Sequence, residues 1–237
     1  MDPRLIVALD TDRREDALAL VRTLQPAVRS FKIGLQLFTA HGPEIVREVA
    51  ATGADIFLDL KFHDIPNTVA GAVYSTAGLP GVSLMTLHGS GGRRMMEAAV
   101  KARDGWAAGQ AGGTPRPRLL GVTVLTSMGT EDLAEVGVPA PPDQQVERLA
   151  TLARQAALDG LVCSPLEVGA LRALLGPDLL LITPGIRPAG AETGDQRRVS
   201  TPAAALAAGA SHLVIGRPIT AAPSPLDAAH SILAELP

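Results

Sequence analysis

Short, almost wholly apolar runs alternate along this chain with longer stretches in which apolar residues recur every three or four positions. The short runs are Leu5 to Leu9, Ser30 to Ile33, Ile56 to Leu60, Val82 to Leu87, Leu119 to Leu125, Leu161 to Cys163, Leu179 to Ile182 and His212 to Ile215. The longer stretches include Arg14 to Leu24, Pro43 to Thr52, Arg94 to Arg103, Gln144 to Leu158, Leu166 to Leu175 and Pro202 to Ala208. Continuous apolar runs read as parallel strands, and the amphipathic stretch after each supplies a helical cover. Eight such units in 237 residues predict a single domain over residues 1–237, an α/β chain folded as a (β/α)8 TIM barrel. A doubly wound open sheet is the competing arrangement. Against it, Asp10 and Thr11 stand where its glycine turn would follow the first strand.

Two segments break the alternation. Gly105 to Arg118, rich in Gly and Pro, reads as a flexible surface connection into the fifth strand. Ile186 to Val199 is a long polar loop after the seventh strand, on the face where barrels carry their active sites.

Composition narrows the class without choosing a function. With 46% hydrophobic and 19% charged residues and a formal net charge of -3, the chain is ordinary globular material. It contains no long Lys/Arg run, which argues against nucleic-acid backbone binding. Cys163 is the single cysteine, so no intrachain disulfide or thiolate metal cluster is expected, and the residue itself reads as inert core. The first residues lack a signal-peptide pattern, and no apolar stretch reaches the ~18 residues of a membrane span. A cytoplasmic location is therefore expected.

The strand ends hold charge where a barrel would hold its cavity. Asp10 follows the first strand, Lys32 lies at the end of the second, and Asp59 and Lys61 end the third. Positions two apart on a strand project to one side, so Asp59 and Lys61 should point together and His63 away. Asp64 comes three residues later, and Ile65-Pro66 starts a helix with Asn67 and Thr68 in its first turn. An alternating Lys32, Asp59, Lys61, Asp64 set would give every ammonium a carboxylate neighbour and keep all four charged despite partial burial. Ordinary rim salt bridges are the alternative. Three charges at this spacing, joined by a fourth on the adjacent strand, favour a working site.

Barrels commonly seat a phosphate on the loops after strands seven and eight. Here those loops carry Thr183-Pro184-Gly185-Ile186-Arg187 and Ile215-Gly216-Arg217-Pro218. Gly216 permits close backbone approach, and Arg217 offers a fork of donors suited to phosphate. Gln196, Arg197 and Arg198 on the long loop are placed to close over a bound ligand. The residues thus describe a phosphorylated small molecule whose reacting end lies among the charges of strands one to three.

The segments VALD (Val7 to Asp10), FKIG (Phe31 to Gly34), DLKFHDIPNT (Asp59 to Thr68), LTS (Leu125 to Ser127), PGIR (Pro184 to Arg187), GDQRR (Gly194 to Arg198) and IGRPI (Ile215 to Ile219) follow in order across the chain. Together they resemble the orotidine 5'-phosphate decarboxylase family. The resemblance implies a homodimeric barrel converting orotidine 5'-monophosphate to UMP and carbon dioxide in de novo pyrimidine biosynthesis, with no metal or organic cofactor. It implies a catalytic set of Lys61, Asp59, Asp64 and Lys32. Lys61 would be the proton donor, Asp59 would face the substrate carboxylate, and Asp10 with Lys32 would hold ribose hydroxyls. Asp64, Ile65, Pro66, Asn67 and Thr68 would serve the partner subunit's site. Thr126 and Ser127 would contact the base, and Arg187, Gln196, Gly216 and Arg217 the phosphate. The nearest rival is a magnesium-dependent relative acting on a sugar phosphate. Those relatives carry a carboxylate where this chain has Lys32, and a lysine repels rather than ligates Mg²⁺.

Overall fold

Each apolar run becomes one stave of a closed sheet. The computed structural model describes residues 2–110, 115–188 and 198–236. Within them β1 (Leu5–Ala8), β2 (Ser30–Gly34), β3 (Asp55–Phe62), β4 (Val82–His88), β5 (Arg118–Val122), β6 (Gly160–Val162), β7 (Leu180–Thr183) and β8 (His212–Ile215) pair in sequence order to form a parallel barrel. The pairing of Leu5 with Leu213 and Val7 with Ile215 closes it. Two strand boundaries differ from expectation by more than one residue. β5 stops at Val122, leaving Val124 and Leu125 to line the cavity at the mouth, and β3 runs on to Phe62, so Lys61 lies within the strand rather than at its end.

Alternation along the strands sorts side chains into two cores. Leu5, Val7, Phe31, Ile33, Ile56, Leu58, Leu213 and Ile215 face outward under the helices. Ile6, Ala8, Phe57, Leu84, Leu120, Ile182 and Val214 fill the barrel itself. Inward positions nearer the strand ends are polar: Lys32 on β2, Asp59 on β3, Thr86 and His88 on β4. The inner face therefore changes from apolar to charged as it reaches the mouth.

The helical cover matches the periodic stretches, and proline sets many of the starts. Helices Pro43–Ala51, Pro66–Ala77, Pro142–Gln155, Pro202–Ala207 and Pro225–Ala234 all begin on a proline, whose fixed φ and missing N–H suit a first helical turn. The Gly/Pro-rich segment is not a connection throughout. Gly105 to Ala108 complete the helix Arg93–Ala108, while residues 111–114 lie outside the described ones.

That helix also carries a charge the apolar pattern hid. Arg103 is 1% exposed, ion-paired with Asp104 and Asp159, and Asp159 in turn accepts the Leu119 N–H at 2.8 Å. Arg116 joins the same carboxylates, so the network ties the helix to the entry of β5, at the end of the barrel away from the mouth. Among the described residues no helix is long and apolar enough to cross a membrane.

Candidate active site

The strand ends of β1, β2 and β3 bring Asp10, Lys32, Asp59 and Lys61 to one wall of a cavity of about 480 Å³. Ala8, Phe57, Val162 and Val214 form part of its apolar lining. Lys32 Nζ lies 2.9 Å from Asp10 Oδ1 and 3.8 Å from Asp59 Oδ2, and Lys61 Nζ lies 2.8 Å from Asp59 Oδ2. Asp59 is thus the shared carboxylate of two ammoniums. Burial alone would raise its pKa, but the two lysines, with hydrogen bonds from Lys61 and Thr86, outweigh burial and hold the carboxyl below its ordinary value.

The lysine ammonium needs room beside that carboxylate. In the β2–β3 register Gly34 sits opposite Asp59, and a Cβ at Gly34 would lie 2.9 Å from Lys32 Nζ. The glycine of the FKIG segment therefore leaves the seat in which Lys32 reaches both Asp10 and Asp59.

Asp59 and Lys61 do meet, but not by simple strand parity. Leu58 pairs with Met85 and Phe62 with Leu87, so three residues of β3, Asp59 to Lys61, face the single Thr86 on β4. Such a bulge re-aims side chains. Lys61 adopts φ 50, in the left-handed region that most side chains avoid. Its N–H donates to Thr86 Oγ1 at 2.9 Å, and the same hydroxyl donates to Asp59 Oδ1 at 2.9 Å. Thr86, fully buried, is a site residue that the sequence reading missed. A hydroxyl two residues after the inward-facing Leu84, and so on the same face of β4, was its signal.

The fourth expected charge does not join this set within the chain. Asp64 is exposed, accepts the Ile65 N–H at 2.6 Å on its own Oδ1 and does not line the cavity. Ile65, Asn67 and Thr68 are likewise exposed, Pro66 is half-buried, and none of them lines the cavity. The reason is the turn after Phe62, which carries the chain outward into the helix Pro66–Ala77. His63 is exposed and does not line the cavity; its ring lies 5.3 Å from that of His88. Burial, then the neighbouring His63 and Lys61, lower the pKa of His88.

Pro184, Gly185, Arg187, Gly216 and Arg217 also line the cavity, and among them Arg187, Gly216 and Arg217 are expected phosphate-binding residues. Thr126 and Leu125 line it from the β5 side, while Ser127 is exposed outside it. Gln36 also lines the cavity and had no signal in the sequence beyond its position after β2. Cys163 lines the inner wall, but burial pushes its thiol up to about 12, which leaves no thiolate for chemistry. Gln196, together with Gly194, Asp195 and Arg197, lies outside the described residues.

Arg198 departs from expectation. Instead of facing a ligand it pairs with Glu167, which the sequence reading had not singled out, and donates to the carbonyls of Val124 at 3.2 Å and Leu125 at 3.0 Å. Glu167 also accepts the Ser164 N–H at 2.9 Å. Arg198 therefore clamps the end of the β7 loop to the loops after β5 and β6.

A family model described as "Orotidine 5'-phosphate decarboxylase / HUMPS family" matches residues 3–232. A protein from Pasteurella multocida named orotidine 5'-phosphate decarboxylase is 52% identical over 237 residues, covering 100% of this chain and 99% of its own. Another of that name, from Opitutus terrae, is 55% identical over 232 residues, covering 98% and 97%. The crystal structure of orotidine 5'-phosphate decarboxylase from Lactobacillus acidophilus superposes with a TM-score of 0.86 at 39% identity, covering 99% of each chain.

Proposed function

The chain belongs to the orotidine 5'-phosphate decarboxylase / HUMPS family, and from that premise we propose that it converts orotidine 5'-monophosphate to UMP and carbon dioxide in pyrimidine biosynthesis. The observation that carries this reading is the Lys32–Asp59–Lys61 cluster sharing one cavity with Arg187, Gly216 and Arg217 of the loops after β7 and β8. Lys32 also weighs against the sugar-phosphate branch, because an ammonium occupies the position where a metal-binding carboxylate would be required.

The chemistry follows from the charges. Breaking the bond between the pyrimidine ring and its carboxylate releases carbon dioxide and leaves the electron pair on the ring carbon. An ammonium held beside that carbon stabilises the pair as it forms and then donates the proton that completes UMP. Lys61 is the group proposed for both tasks, so the reading requires neither metal nor organic cofactor. Asp59, kept ionised by its lysines, would stand beside the substrate carboxylate, where repulsion is relieved as carbon dioxide departs. Asp10 and Lys32 would hold ribose hydroxyls, Thr126 the base, and Arg187, Gly216, Arg217 and Gln196 the phosphate. Binding energy at the phosphate, remote from the reacting carbon, would then be available to assemble the charged end.

The functional unit proposed is a homodimer in the cytoplasm. Asp64 to Thr68 lie outside their own cavity, and Ile65 and Tyr74 are 67% and 54% exposed on the same helix and its approach. Apolar side chains so exposed favour a covering partner. In this arrangement Asp64, Ile65 and Thr68 would reach the partner's site.

A direct assay decides the activity. Purified protein given orotidine 5'-monophosphate in excess EDTA is expected to consume it and form UMP. No turnover would refute the decarboxylase, and turnover that needs added Mg²⁺ would refute the cofactor-free mechanism.

A further inference from the structure

The bulge at Asp59 to Lys61 sets three residues of β3 against one of β4, and so interrupts the regular ladder at the charged end of the strand. Lys61 is the most demanding of the three, because its ammonium belongs to the cavity and its backbone is left-handed at φ 50. A conformation of this kind persists only where the surroundings over-determine it.

One hydroxyl meets both needs. Thr86 Oγ1 accepts the Lys61 N–H at 2.9 Å in place of a ladder carbonyl, and it donates to Asp59 Oδ1 at 2.9 Å. A hydroxyl has a single proton, and the backbone N–H can only donate to it, so that proton is committed to the carboxylate. Thr86 is completely buried, which keeps water from replacing either bond. Its branched Cβ restricts χ1, so the oxygen is held in one direction. With Oδ1 held by Thr86, Oδ2 is the oxygen that meets Lys61 at 2.8 Å and Lys32 at 3.8 Å.

We propose that Thr86 is a positioning residue for the reaction: its hydroxyl fixes the Lys61 backbone in the turn that aims the ammonium, and orients the Asp59 carboxylate between the two lysines. The inference rests on the reading of Asp59 and Lys61 as the reacting pair. It assigns Thr86 no contact with substrate.

The test compares wild type with Thr86→Val, which keeps the shape and removes the hydroxyl, and Thr86→Ser, which keeps the hydroxyl. Thr86→Val is expected to lower kcat by about tenfold or more with KM within roughly threefold, and Thr86→Ser to recover most of that loss. A second readout needs no turnover. NMR titration of the Asp59 carboxyl should move upward in Thr86→Val and stay near wild type in Thr86→Ser. Thr86→Ala removes the hydroxyl with a smaller side chain and carries the same expectations if Thr86→Val does not fold. Wild-type inactivity on orotidine 5'-monophosphate would count against the decarboxylase reading alone, because the titration still reports on Thr86. Wild-type kcat and an unmoved Asp59 titration in the hydroxyl-free variant would overturn the proposal, as would a Thr86→Ser variant no better than Thr86→Val.

Discussion

Lys61 Nζ lies 2.8 Å from Asp59 Oδ2, although the backbone between them has left the regular strand. The pair is therefore built by a bulge rather than by the alternation of an unbroken strand. That relationship puts the Lys61 ammonium beside a carboxylate whose pKa burial would raise, but which Lys32, Lys61 and Thr86 hold below its ordinary value.

Lys61→Ala removes the proposed proton donor while leaving Lys32 to pair with Asp59. Turnover of orotidine 5'-monophosphate should fall by on the order of 10³ or more, since both acid catalysis and charge stabilisation are lost. Circular dichroism should remain that of the wild type. A variant retaining full activity would show that the proton comes from elsewhere.

Gly34→Ala tests the seat of Lys32. The added methyl would stand 2.9 Å from Lys32 Nζ, at the flexible end of that side chain, so the ammonium rather than the backbone should give way. The backbone at Gly34, φ -97, is open to alanine. The expected outcome is a stability change within about 1 kcal/mol, with activity reduced by roughly tenfold. Unfolding curves and kinetics on one preparation check both halves.

Arg198 and Glu167 should behave as one unit in stability measurements. Both side chains are largely buried, so Arg198→Met is expected to cost on the order of 3 kcal/mol by stranding the Glu167 carboxylate. Adding Glu167→Gln should then cost much less than it does alone. A double-mutant cycle from denaturant unfolding measures the coupling, and additive effects would mean that the clamp is not an interaction of consequence.

His88 should make stability depend on pH. Its folded pKa is lowered, chiefly by burial, below the ordinary value of 6.5. The unfolded chain therefore binds more protons in the window just below that value, so stability is full above it and falls as the pH drops through it. His212 titrates in the same direction. His88→Gln should accordingly flatten, without abolishing, the loss of stability between neutral and mildly acidic pH. An unchanged slope in unfolding free energy against pH would contradict the assignment.

Subunit mixing tests the proposed homodimer and its shared site. Asp64→Asn and Lys61→Ala homodimers should each be severely impaired. Once exchanged, a mixed dimer would hold one site with Lys61 from one chain and Asp64 from the other. Partial recovery of activity is expected. No recovery after exchange is verified by mass spectrometry would place Asp64 in its own subunit's chemistry or outside it.

What the sequence determined by itself was local and periodic. The alternation of apolar runs with amphipathic stretches determined eight strands, a parallel closed sheet and the helix starts at Pro43, Pro66 and Pro202, because burial on both faces and proline at first turns are written in residue order. Asp10, Lys32, Asp59 and Lys61 were legible for the same reason: charge at the end of an apolar strand has only the barrel mouth to occupy. Tertiary structure decided what depends on packing between strands. Thr86 matters only because the β3 bulge leaves Lys61 opposite its hydroxyl, and register is a property of two strands, not one. Arg198 turned to Glu167 rather than to the cavity because the loops after β5, β6 and β7 meet there, and Arg103 is buried because Asp104 and Asp159 converge on it. Hydrophobic periodicity records which face of an element is covered; it carries no record of which distant polar group will be waiting on the other side.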